Sequence, residues 1–215
     1  MLEALGVDLE MSDDDLKRSM GQLGISFLFA PSFHPSLKKM KEIRKKIEGP
    51  TVFNLLGPLL NPARPDYFML GVAKREYLEF YARMFQKMKV KKALVFHGNG
   101  LDEISTLGVI EAMEVTPSEI RKITLDPEEY GFSLGKLSEL VGGNPKENAE
   151  RLVQALKGSR DTFSDTLVFN TGVALYITGK TKTIPEGIEK AREALNTKKA
   201  LGLLEKWIKI AGGKQ

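Results

Sequence analysis

The residues best suited to chemistry stand in the run HGNGLDEIS, where Asp102 and Glu103 are adjacent carboxylates. Hard oxygen donors in pairs can hold a divalent cation such as Mg²⁺, which keeps several water or phosphate ligands of its own. The run comes after ALVF at 93–96, a continuously apolar stretch that reads as a buried strand. In open α/β sheets the space beyond the C-terminal ends of parallel strands is where ligands collect. Gly98 and Gly100 permit a tight backbone path there. Taken alone, the pattern is equally that of a plain acidic turn, and turns of that composition are common. Neither a dinucleotide-binding fingerprint nor a P-loop matches its spacing.

A second group lies in FAPSFHPSLKKMKEIRKK. His34 and Arg44 are ten positions apart, about three turns if one helix carries both, so they would share a side. The planar guanidinium of Arg44 suits a carboxylate. Lys38, Lys39, Lys41, Lys45 and Lys46 surround it, and a solvated basic helix face explains that pattern as well. A third group, NLLGPLLNPARP, sets Gly57 and Pro58 where they could wall an aromatic ligand. It can also be a structural loop in which Asn54 and Asn61 bond nearby backbone.

The elements that must position these groups are read from periodicity. YFMLGVA at 67–73 reads as a strand, the segment from 74 to 90 as an amphipathic helix, and KKALVFHG at 91–98 as a central strand. That order predicts a right-handed parallel crossover. GVIEAMEV and IRKITL read as further strands, at a sheet edge or in a hairpin. Asn144 before Pro145 starts a helix, TFSDTLVFNTGVALYITGK is a buried helix, and two amphipathic helices close the chain. The expected fold class is α/β: a mixed, largely parallel sheet flanked by helices, with part of a small helical domain. The expected division is 1–65, helices plus connector, and 66–215, the α/β domain.

Composition excludes several alternatives. Forty-two per cent hydrophobic residues over 215 positions support a real core. The chain lacks cysteine, so disulfides, thiolate catalysis and Cys-ligated metals are out. Only two histidines occur, far apart at 34 and 97, which argues against a His-rich zinc site. A net charge of +4 spread thinly favours anionic substrates weakly and does not indicate nucleic acid. No apolar run is long enough to span a bilayer, and the start does not read as a signal peptide, so a cytoplasmic protein is expected.

FLFAPSFHPSLKKMKEIRKK, TVFNLLGPLLNPARP, HGNGLDEIS, GGNPKENAERLVQALKG and DTLVFNTGVALYITGKTKTIPEGIEKAREAL together resemble the anthranilate phosphoribosyltransferase family, in that family's order. The resemblance implies a fold of the class II nucleoside phosphorylase and phosphoribosyltransferase type. It implies transfer of phosphoribose from phosphoribosyl pyrophosphate to anthranilate, with Mg²⁺ as cofactor and a homodimer formed through the helical domain. On it, Asp102 and Glu103 correspond to the magnesium-binding pair. Arg44 corresponds to the residue that meets the anthranilate carboxylate, and His34 and Pro58 to residues lining the anthranilate pocket. No acid or base residue is assigned. The family's glycine-rich GTGGD-type loop and KHGNR-type strand end have no counterpart here. The implied phosphate site is therefore incomplete and the implied dimer altered, and an inactive chain, one half of a split enzyme and a non-catalytic α/β interaction module stay open. So does a related phosphoribosyl-type enzyme with a changed acceptor.

Overall fold

The computed structural model describes residues 1–34 and 55–212. It divides into two compact units. One contains residues 1–62, 142–157 and 198–215, and the other residues 63–141 and 158–197.

In the first unit, Ser12 caps helix α1 (Asp13–Leu23) by accepting from the Asp15 amide, and Gly24 ends it in the left-handed region. Helix α3 (Pro145–Leu156) begins on a complete capping box. The Asn144 side chain accepts from the Glu147 amide while the Glu147 carboxylate accepts from the Asn144 amide. Helix α6 (Lys199–Ala211) packs against α1. Val7, Trp207 and Ala211 form the buried centre, and the Asp8 amide donates to the Ala211 carbonyl at 2.7 Å.

The second unit holds a four-stranded sheet in the order β1 (Tyr67–Gly71), β2 (Lys92–His97), β3 (Ile110–Val115), β4 (Ile120–Leu125). Its fold is α/β. Helix α2 (Tyr77–Lys87) connects β1 to β2, which run parallel, Gly71 opposite Phe96. Leu78, Tyr81, Ala82 and Phe85 are its buried face, and the Phe85 ring stacks on Phe68 of β1 with centroids 4.5 Å apart. The remaining helices are α4 (Thr162–Ile177) and α5 (Ile184–Asn196).

The expected sheet is revised in one respect. The sheet is mixed but not largely parallel, because β2–β3 and β3–β4 are both antiparallel. Only residues 116–119 link β3 to β4, too few for a parallel crossover, so the two strands form a hairpin. Helices α3 and α6 contact elements of the first unit and group with it. Small residues of α4 and α5 let the two helices approach closely. A Cβ on Gly172 would fall 2.6 Å from the Ile188 side chain, and one on Gly187 would fall 2.2 Å from the Gly172 carbonyl oxygen, so α4 and α5 touch backbone to backbone. Among the described residues no helix is long and apolar enough to cross a membrane.

Candidate functional site

The Asp102–Glu103 pair lies just past the C-terminal end of β2, and the backbone around it is tied on every side. At the end of the parallel pair the Val72 amide donates to the Phe96 carbonyl at 2.9 Å. His97 returns the tie, with Nδ1 2.7 Å from the Val72 carbonyl oxygen. A carbonyl only accepts, so Nδ1 carries a proton, and in the neutral ring the lone pair is on Nε2. The chain then reverses through Asn99 and Gly100, at φ 55° and 75°, between Gly98 and Leu101, which bridge as an antiparallel pair. Two consecutive positive φ values are those of the type I′ hairpin turn, for which Asn-Gly is the preferred dipeptide.

Asp102 comes next, against the end of β1. A Cβ on Gly71 would fall 1.7 Å from the Asp102 carbonyl oxygen, a contact only glycine permits. Both carboxylate residues are exposed, whereas Ile104, Ser105 and Thr106 have no exposed surface. The buried run is held from two directions. The Asn170 side-chain amide on α4 donates to the Ile104 carbonyl at 2.6 Å, and the Gly135 amide donates to the Thr106 carbonyl at 2.9 Å.

Desolvation by the surrounding protein, and then the adjacent Asp102 charge, push the Glu103 carboxyl above the usual range. A carboxylate whose ionisation is made costlier by burial and by a neighbouring charge is a place where a cation lowers the energy. Among the described residues no group of three or more His, Asp or Glu could hold a metal. Two hard donors suit an ion that takes its other ligands from phosphate and water, as Mg²⁺ does, and do not suit a cage-bound one. The pair therefore fits Mg²⁺.

Of the other expected site residues, His34 and Pro58 lie in the first unit. Ala30–Phe33 forms a single helical turn and His34 ends it at φ −128°, ψ 67°. Pro35 disfavours helical backbone at the preceding residue, so His34 terminates its turn rather than continuing it. It is half-buried, as is Pro58 in the tight turn Gly57–Leu59. Arg44 lies outside the described residues. Gly71, His97 and Asn170 are not evident as site residues in the sequence. Asn99-Gly100 is a readable hairpin signal.

A fold of this class with an acidic pair at the end of its central strand is matched by a known family. The model described as "Glycosyl transferase family, a/b domain" covers residues 1–201, and the chain belongs to that family. Within it, the similarity is to anthranilate phosphoribosyltransferases. That of Chlamydia felis is 42% identical over 209 residues, which is 97% of this chain and 61% of the relative. The crystal structure of the Thermus thermophilus enzyme superposes with a TM-score of 0.91 at 38% identity, covering 98% of this chain and 63% of that one. The Saccharomyces cerevisiae enzyme in complex with PRPP and Mg superposes at 0.89 with 29% identity, covering 99% and 62%. The chain thus spans about 61% of the length of the curated relatives it matches.

Proposed function

We propose that this chain carries the phosphoribosyl-transfer chemistry of its relatives: phosphoribosyl pyrophosphate and anthranilate give phosphoribosyl-anthranilate and pyrophosphate. The observation that carries the reading is the exposed Asp102–Glu103 pair, clamped at the C-terminal end of β2 in a chain similar to an enzyme solved with PRPP and Mg.

In the reaction a C–N bond forms between the ribose anomeric carbon and the anthranilate amine, the C–O bond to pyrophosphate breaks, and the amine gives up a proton to solvent. The amine is already nucleophilic, so placement and charge stabilisation of the leaving group carry most of the rate. Asp102 and Glu103 would hold Mg²⁺, which when bound offsets the charge developing on the pyrophosphate. The protein's part at that end is to present two adjacent carboxylates on a firmly tied backbone. At the acceptor end, Arg44 would pair its guanidinium with the anthranilate carboxylate. His34 and Pro58 would line the acceptor's pocket.

Purified chain mixed with phosphoribosyl pyrophosphate, Mg²⁺ and anthranilate should release pyrophosphate at a rate that needs all three. Arg44→Ala should raise the anthranilate KM with less effect on the KM for phosphoribosyl pyrophosphate. Pyrophosphate release that is indifferent to anthranilate would refute the acceptor assignment.

A further inference from the structure

We infer that Asn170 is a positioning residue for the Asp102–Glu103 pair, an inference that rests on the reading of that pair as a cation site. Ile104 is fully buried and immediately follows Glu103, in a stretch that has left the sheet ladder. A buried carbonyl without a partner costs about 1–3 kcal/mol. The Asn170 Nδ2 group supplies that partner at 2.6 Å and spends its other hydrogen on the Thr166 carbonyl of its own helix at 2.8 Å. The amide thereby ties the residue after the pair to α4, a 16-residue helix whose own place is set by close backbone contact with α5.

The clamps act within and on either side of the pair. Leu101 is held by the hairpin turn, Asp102 by the approach of Gly71, and Ile104 by Asn170. The pair itself is exposed, so its placement depends on these backbone ties. Asparagine is specific for the task. Alanine donates nothing, ionised aspartate only accepts and would face two carbonyl oxygens, and glutamine carries its donors one methylene further out. Partners behind metal ligands typically change affinity about 10–100-fold when removed.

The test is titration of Mn²⁺, a paramagnetic stand-in for Mg²⁺, into the full chain with inorganic pyrophosphate present, read by the loss of free-Mn²⁺ resonance. Asn170→Ala should raise the half-saturating Mn²⁺ concentration about tenfold or more. Phe85→Leu, a core change on α2 that lowers the melting temperature without touching the pair, should leave it unchanged. Asn170→Gln provides the same comparison if the alanine variant does not fold. Wild-type Mn²⁺ binding by either folded Asn170 variant overturns the inference. Wild-type binding by Asp102→Asn together with Glu103→Gln would instead overturn the cation-site reading beneath it.

Discussion

Gly71 and Asp102 meet backbone to backbone: a methyl group on Gly71 would lie 1.7 Å from the Asp102 carbonyl oxygen and 2.4 Å from its carbonyl carbon. Those atoms cannot rotate away as a side chain would. Gly71→Ala must therefore push the end of β1 from the turn that carries the acidic pair. Overpacking of this kind costs about 1–3 kcal/mol. Urea unfolding should show that loss, and the same variant should lose Mg²⁺-dependent ligand binding at temperatures where it remains folded.

The turn before the pair makes a separate demand. Asn99 sits at φ 55°, a conformation that asparagine tolerates and β-branched residues do not. Asn99→Val should cost about 1–2 kcal/mol by urea unfolding, whereas Asn99→Gly should be tolerated. Equal stability of the valine and glycine variants would contradict the type I′ assignment.

Asp165, on the first turn of α4, gives a pH prediction that does not involve the cation pair. Burial pushes its carboxyl above the usual range, Arg192 pulls it partway back, and the Asp161 charge adds a smaller push upward. The folded chain therefore holds this proton more tightly than the unfolded chain. Ionised Asp165 subtracts stability at neutral pH, and the subtraction disappears as pH falls below the ordinary carboxylate value. Asp165→Asn should melt at a higher temperature than the parent at about pH 7, with the gain shrinking to nothing near about pH 3. A gain that is independent of pH would refute it.

The sole tryptophan reports on the first unit. Trp207 is 6% exposed, and its Nε1 is buried without a hydrogen-bond partner among the described residues. Trp207→Ala should cost about 3–5 kcal/mol. Trp207→Phe keeps most of the packing and removes the unpaired donor, so denaturant unfolding should show a cost under about 1.5 kcal/mol.

Much of the fold is legible from local patterns. The Asn144, Pro145 and Glu147 cap announces α3, the apolar run 93–96 announces β2, and the acidic pair stands out by residue type. Strand direction is less legible, because an apolar run buried on both faces looks the same in a parallel and a mixed sheet. The unit division is not legible at all, since α3 and α6 join the first unit through contacts between distant segments. The same holds for the support of the site. Asn170 reaches its partner across 66 residues, and Gly71 matters through the absence of an atom beside a backbone thirty-one positions later. Periodicity and composition report on neighbours along the chain and carry neither fact.

The most direct test of the central claim is calorimetric titration of the chain with phosphoribosyl pyrophosphate, with and without Mg²⁺, beside Asp102→Asn and Glu103→Gln variants of unchanged melting temperature. The account predicts saturable binding that requires Mg²⁺ in the parent and is lost or strongly weakened in both variants. Binding of equal strength with and without Mg²⁺, and in parent and variants alike, would contradict it.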